Sequence, residues 1–349
     1  MSTIRKKPIR VLIVDDSALV RKMLIRNMAD DLEIEVIGEA EDPYQARDLM
    51  VELEPDVITL DVEMPRMDGI TFLKHFMEVM PTPTVIISSL TQAGARITLD
   101  ALESGAVDVI AKPTLNTLDH LAMSKDEINR RIKYAAGIVV KKIAYRNIPK
   151  LIVSAPSSCD KSGIIAIGSS TGGVEALGRI LPTFSADSPA ILIVQHMPAS
   201  ITAAFATRLN GLCQMRVKEA EDGDLVIPGQ ILIAPGGLCH TQIIRAGNQY
   251  RISLQEGELV NYCRPAVDVL FHSIAREATC KVAAAILTGM GKDGAEGLLA
   301  IRQAGGHTYA QDEATSVVFG MPQAAMNLKA AEKMLPLEQI PNALIDALK

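Results

Sequence analysis

The sequence predicts two α/β domains, each built on a doubly wound parallel sheet, and three observations carry that reading. Short apolar runs alternate with helical patterns from Ile9 to Ile110, the rhythm of strands joined by crossover helices. The same rhythm restarts at Gly163, after a loop-rich stretch. Trp is absent and aromatic residues make up only 3%, so Ile, Val, Leu, Ala and Met must fill the cores, as suits parallel strands buried on both faces.

In the first region, apolar runs predict strands over 9–14, 36–38, 57–60, 85–87 and 107–110, with a helix over 17–30. Ser124 followed by Glu127 reads as a capping box, opening a helix that runs to about Tyr145. Asn147-Ile148-Pro149 and Ser154-Ala155-Pro156-Ser157-Ser158 then form a connector. In the second region strands are predicted over 164–167, 191–194, 230–234, 250–254 and 282–287. The domains accordingly span 8–128 and 162–349, with 129–161 as the end of a helix and a linker.

With 349 residues, 48% of them hydrophobic, the chain can bury two cores. Its net charge of −6 comes without a Lys/Arg stripe, which argues against a nucleic-acid surface. No apolar stretch is long enough to span a bilayer and the first residues lack a signal-peptide core, so a cytoplasmic protein that does not insert in membranes is expected. The five cysteines are odd in number and show no C-x-x-C spacing. Neither a disulfide framework nor a cysteine zinc site is expected.

Asp15 and Asp16 follow the first strand and Asp61 follows the third, so a parallel sheet brings three carboxylates to one edge. Any one of them is explained by helix capping, but the crowding of all three calls for a divalent cation, and Mg²⁺ suits carboxylates, water and phosphoryl oxygens. Ser88 and Lys112 end two later strands, where a hydroxyl and an ammonium can meet phosphoryl oxygens. Asp15-Asp16, Asp61 with Met64-Pro65 and Asp68-Gly69, Ser88, and Lys112-Pro113 resemble the motif set of two-component receiver domains, which are flavodoxin-like. The resemblance implies that Asp61 takes a phosphoryl group from a sensor histidine kinase. It also implies Mg²⁺ held by Asp15, Asp16, Asp61 and the backbone carbonyl of Glu63, with Ser88 and Lys112 as switch residues. Val109 stands where many receivers carry an aromatic switch residue.

In the second region three apolar runs stop at Ser169-Ser170, at Gln195-His196, and just before Thr288 through Asp293, the parts of a serine hydrolase. Gly168-Ser169-Ser170-Thr171-Gly172 fits G-x-S-x-G between a strand and a helical pattern. The competing dinucleotide turn needs a glycine spacing that is absent here. His240 rivals His196 as the base, and Asp268 rivals Asp293 as the carboxylate. The order Ser, His, Asp differs from that of α/β-hydrolases, which points to a different topology.

These segments, with Gln195-His196-Met197-Pro198, Arg264-Pro265 through Asp268, Leu287 through Gly294, and Phe319-Gly320-Met321-Pro322, resemble the catalytic domain of bacterial chemotaxis protein-glutamate methylesterases. The resemblance implies a Rossmann-like serine esterase domain with Ser170 as nucleophile, His196 as base and Asp293 as supporting carboxylate. Backbone N–H groups near Thr171 and Met290 are expected at the oxyanion, with Arg264 near substrate and no cofactor for ester hydrolysis. Ser169 stands where relatives often have Ala, and Ala266 where a Ser is expected. The implied function is phosphorylation-activated removal of glutamate γ-methyl esters from chemoreceptors, with related glutamine deamidation. An unphosphorylated receiver that blocks the esterase cleft would explain the regulation. The alternatives are a regulator of the same build serving a pathway other than chemotaxis, and a receiver-linked nucleotide-binding module; a DNA-binding response regulator lacks its basic helix.

Overall fold

The computed structural model describes residues 7–64, 67–88, 91–112, 125–138, 140 and 162–349. The chain divides into two compact units, Met1–Arg146 and Asn147–Lys349.

In the first unit, β1 (Ile9–Val14), β2 (Ile34–Ala40), β3 (Val57–Asp61), β4 (Thr84–Ser88) and β5 (Asp108–Ala111) form one parallel sheet in the order β2-β1-β3-β4-β5. Every residue of β3 and β4 is buried, which is why those runs are apolar without alternation. Helices α1 (Ala18–Met28), α2 (Pro43–Leu53), α3 (Gly69–Val79), α4 (Gln92–Glu103) and α5 (Lys125–Ala136) connect or flank the strands. Asp42, Asp68 and Thr91 accept hydrogen bonds from first-turn N–H groups of α2, α3 and α4, so polar residues before apolar periods start these helices.

The last helix departs from expectation. It ends at Ala136 rather than near Tyr145, where the N–H groups of Gly137 and Ile138 close a tightened last turn on the Tyr134 and Ala135 carbonyls, both at 3.0 Å. Ile128, Ile132 and Ala135 are buried in the core of this unit, so its packed body extends past residue 128. Ser124 of the expected capping box, the side chain of Glu127, Pro65, Pro113, His120 and the connector lie outside the described residues.

In the second unit, β6 (Ile164–Ser169), β7 (Ala190–Gln195), β8 (Arg216–Glu219), β9 (Gln230–Ile233), β12 (Val282–Ile286), β13 (His307–Gln311) and β14 (Lys333–Leu335) form a seven-stranded parallel sheet. Its order is β14-β13-β12-β6-β7-β9-β8. The chain builds outward from β6 on one side and returns to add β12 on the other, so strand order reverses at β6. Outside this sheet, β10 (Cys239–Ala246) and β11 (Gln249–Glu256) make an antiparallel hairpin. That placement corrects one expectation, since the run over 250–254 does not join the parallel sheet; His240 lies in the same hairpin.

Helices α6 (Gly173–Ile180), α7 (Ala199–Asn210), α8 (Val267–Glu277), α9 (Ala295–Gln303), α10 (Met321–Asn327) and α11 (Ile340–Asp346) complete the unit. The N-terminus of α8 packs so closely on β6 that a Cβ at Gly168 would lie 2.4 Å from a Val267 methyl group. Phe271 of α8 is fully buried, a side chain whose burial contributes roughly 1.5–3 kcal/mol.

Candidate functional site

The first unit has its polar centre where β1 and β3 end. Asp15, Asp16 and Asp61 each place a carboxylate oxygen within 4.8 Å of the others. Asp15 and Asp61 are buried and Asp16 is exposed. Lys112, positioned by its own N–H donating to the Ser88 carbonyl, brings Nζ to 2.5 Å from Asp61 Oδ2 and 3.2 Å from Asp15 Oδ2. The Glu63 N–H donates to Asp61 Oδ1 at 3.0 Å.

Burial pushes the Asp61 carboxyl up to about 6, although Lys112 and the Glu63 N–H pull it down. Burial also raises Asp15, against the pull of Lys112. For Lys112, burial favours the neutral amine, but the two aspartates outweigh it and its pKa is raised. One ammonium thus serves two buried carboxylates, and Asp15 Oδ2 makes no hydrogen bond among the described residues. This under-compensated oxygen cluster fits Mg²⁺.

Ser88 closes β4, with its Oγ accepting from Thr98 Oγ1 at 2.7 Å. Val109 is buried within β5, so the position of the aromatic switch is filled by a small core side chain. A Cβ at Gly69 would lie 2.3 Å from the Asp61 carbonyl oxygen, which explains the glycine after Asp68.

In the second unit three adjacent strands, β7, β6 and β12, deliver His196, Ser170 and Asp293. Ser169 is the last residue of β6, fully buried, and its Oγ donates to Gln195 Oε1 at 2.6 Å. Ser170 is partly exposed, and its hydroxyl has no hydrogen-bond partner among the described residues. Its backbone is held firmly: the N–H donates to the Thr288 carbonyl, and the carbonyl accepts from the Gly173 N–H and from Gln195 Nε2, both at 2.8 Å. Gly289 passes beside it, where a Cβ would lie 2.9 Å from Ser170 Cβ. With the Ser170 and Gly173 N–H groups spent internally, the loop is poorly suited to cradle a nucleotide phosphate.

His196 follows β7, and its N–H donates to the Ser169 carbonyl at 3.1 Å, which sets it beside the serine. Its Nε2 lies 2.8 Å from Asp293 Oδ2, and Cys263 Sγ lies 3.5 Å from its Nδ1. With Nε2–H given to the carboxylate, Nδ1 keeps the lone pair. Burial disfavours the imidazolium, while Cys263 and Asp293 favour it and leave the His196 pKa raised. Ser170 Oγ and His196 share no hydrogen bond among the described residues, a looseness common before substrate binds.

Asp293 is saturated with donors. Besides His196 it accepts from the Val267 N–H at 2.6 Å, the Asp268 N–H at 3.1 Å and Asn261 Nδ2 at 3.3 Å. Burial would raise its pKa, but His196 and these N–H groups prevail and it is lowered.

The rival residues are engaged elsewhere. His240 Nδ1 accepts from the Ala266 N–H and its Nε2 donates to the Glu258 carbonyl, so both nitrogens hold backbone. Asp268 accepts from the Gly297 N–H and Asn261 Nδ2 and makes no hydrogen bond to His196 among the described residues; burial raises its pKa. Arg264, expected near substrate, has Nε on the Gly237 carbonyl and a second nitrogen on that of Gly257, so it ties two loops together. The Thr171 and Met290 N–H groups donate to nothing among the described residues, which leaves them available to an oxyanion.

Sequence reasoning missed three residues. Gln195 bridges Ser169 and Ser170. Asn261 and Cys263 come from a tight turn in which Val260 and Cys263 exchange backbone hydrogen bonds and Asn261 and Tyr262 have φ of 51° and 64°. Two left-handed residues mark a type I′ turn; Asn is its usual first residue, and Tyr at the second is costly. A glutamine ending an apolar strand was a visible signal for the first, whereas the turn gave none.

Comparison with known proteins matches residues 165–344 to the CheB methylesterase family and residues 11–122 to the response regulator receiver domain. The chain is 53% identical over 334 residues to the "protein-glutamate methylesterase/protein-glutamine glutaminase of group 2 operon" of Cereibacter sphaeroides, spanning 95% of this chain and 90% of that one. It is 50% identical over 338 residues to the "protein-glutamate methylesterase/protein-glutamine glutaminase 2" of Pseudomonas aeruginosa, covering 97% and 96%. The crystal structure of the Thermotoga maritima CheB methylesterase catalytic domain superposes with a TM-score of 0.51 at 40% identity, covering 52% of this chain and 97% of that one.

Proposed function

Because the chain belongs to the CheB methylesterase family, with a receiver domain ahead of the esterase domain, we propose that it removes glutamate γ-methyl esters from chemoreceptors. Methanol is released, and glutamine at equivalent sites is deamidated. The observation that carries the reading is the convergence of Ser170, His196 and Asp293 from three neighbouring strands, with His196 Nε2 2.8 Å from Asp293 Oδ2.

Ser170 Oγ attacks the ester carbonyl as His196 takes its proton at Nδ1, and Asp293 supports the imidazolium through Nε2. The Thr171 and Met290 N–H groups stabilise the oxyanion. The imidazolium protonates the departing methoxide, leaving an acyl-enzyme on Ser170. Water, deprotonated by His196, cleaves it to free the glutamate carboxylate. Gln195 keeps the loop in place, and it occupies Ser169 so that only the Ser170 hydroxyl is free to react.

Asp61 takes a phosphoryl group from a sensor histidine kinase, and phosphorylation raises the esterase rate. Asp15, Asp16, Asp61 and the Glu63 carbonyl would hold Mg²⁺, which when bound offsets the charge of the incoming phosphoryl group. Lys112 and Ser88 meet the phosphoryl oxygens. The reading places the protein in the cytoplasm; no helix among the described residues is long and apolar enough to cross a membrane. Methanol release from methyl-labelled receptor membranes, measured with and without a phosphodonor, tests the whole reading. No release in either condition would overturn it.

A further inference from the structure

We propose that Cys263 Sγ and His196 Nδ1 form a chelating site for a thiophilic divalent cation, Zn²⁺ in particular, and that its binding switches the esterase off. The inhibitory part rests on the esterase reading above; the binding part does not. The two ligand atoms are 3.5 Å apart. Zn–S and Zn–N bonds of about 2.3 and 2.0–2.1 Å meeting at a tetrahedral angle require a sulfur–nitrogen separation of about 3.5 Å, so neither side chain has to move far.

The surroundings match those of a zinc-bound histidine. Such a ligand almost always donates its second ring N–H to a carboxylate, a backbone carbonyl or a water, and His196 Nε2 already meets Asp293 at 2.8 Å. The Asp293 carboxylate is itself fixed by the Val267 and Asp268 N–H groups. One ligand atom from each of His196, Cys263 and Asp293 falls within 4.8 Å of the others. Cys263 is held by a turn whose Tyr262 has a φ of 64°, a conformation a bulky residue adopts only when the surroundings enforce it. Both ligands are reachable, since Cys263 is partly exposed and the His196 side chain keeps 8% of its surface.

Binding breaks the S–H bond of Cys263, forms a metal–sulfur bond and releases one proton to solvent. It also converts the Nδ1 lone pair into a metal bond. That is the lone pair needed to take the Ser170 proton, so a cation here competes with the base rather than with the substrate. Spacing rules for cysteine motifs give no warning of this site, because its ligands lie 67 residues apart in sequence.

The test uses the full chain with excess Mg²⁺ to occupy the receiver's carboxylates. Titration with Co²⁺, which reports thiolate ligation by its charge-transfer absorption, is expected to give that band in wild type and in Ser170→Ala but not in Cys263→Ala. Inhibition by Zn²⁺, with each variant normalised to its own rate in chelator, is expected to need at least about tenfold more metal in Cys263→Ala. A missing cobalt–thiolate band would reduce the contact to a thiol–imidazole hydrogen bond. An unchanged band in Cys263→Ala would assign it to another cysteine. Equal zinc sensitivity of the two proteins would remove the inhibitory role. An inactive wild type with an intact band would overturn the esterase reading and leave the metal site standing.

Discussion

The two polar centres occupy the same place in their folds, the carboxyl edge of a parallel sheet where strand order reverses, yet they treat charge in opposite ways. In the receiver unit, buried Asp61 has one ammonium, shared with Asp15, and one backbone N–H, and burial pushes it up to about 6. In the esterase unit, buried Asp293 collects His196, two backbone N–H groups and Asn261, and is lowered. The fold supplies convergence in both. The number of donors then decides whether a carboxylate is left under-compensated or steadies a neighbouring imidazole.

The largest expected effects come from crossing the two sites. Ser170→Ala should lower methanol release by a factor on the order of 10⁴–10⁶ while leaving phosphodonor labelling intact. Asp61→Asn should do the reverse, abolishing labelling and keeping the basal esterase rate. Loss of basal hydrolysis in Asp61→Asn would break the separation between the sites.

A smaller contrast lies within the esterase unit. Asp293→Asn should cost roughly 10²–10⁴ in kcat, because the amide misplaces the imidazole proton. Asp268→Asn, which touches Asn261 and the Gly297 N–H but not His196, should cost far less. Equal losses would mean that Asp268 acts with Asp293 as a unit.

Stability should expose the difference in donor supply. The Asp61 pKa is raised in the fold from 3.8 to about 6, so ionising it opposes folding, and the penalty grows as pH rises through that window. In chelator, Asp61→Asn should therefore be more stable than wild type by roughly 3 kcal/mol at neutral pH, since each tenfold change in acidity corresponds to about 1.4 kcal/mol. The advantage should vanish below pH 3.8. Denaturant melts across pH measure it, and a pH-independent difference would contradict the proposed cause.

The smallest effect belongs to Gln195. Gln195→Leu keeps much of the volume but strands the Ser169 hydroxyl and one acceptor position on the Ser170 carbonyl, at a cost of about 1–3 kcal/mol of stability. A lower kcat with little change in KM should accompany it. Pairing the change with Ser169→Ala should recover part of the stability, a recovery read by a double-mutant cycle.

Much of this was legible because each site-bearing strand is an apolar run that stops abruptly, so Asp61, Ser170 and His196 announce themselves by position. Asp293 was readable only with Asp268 as a rival, and the family resemblance chose between them. What escaped depends on partners distant in sequence. Gln195 matters because the register pairs it with Ser169, and register is not written in either strand alone. The hairpin strand over 249–256 carries the same β signature as a sheet strand, and nothing local says which sheet it joins. The four-residue β8, Arg-Val-Lys-Glu, is too short and too charged to stand out. Helix α5 was overextended because charged and apolar residues keep a helical period in the sequence beyond Gly137, whereas the helix stops at Ala136.

The reversal at β6 also sets a timetable. β6 leaves the ribosome early in its domain and gains β7 soon after, but its other neighbour, β12, begins only at Val282. At synthesis rates of about 5–20 residues per second, one side of β6 waits on the order of ten seconds for its partner. Until then a strand destined for the middle of the sheet is an open edge, rich in Ile and able to recruit foreign strands. The nascent domain also lacks Asp293 throughout that interval, so its serine and histidine emerge long before the residue that completes the set.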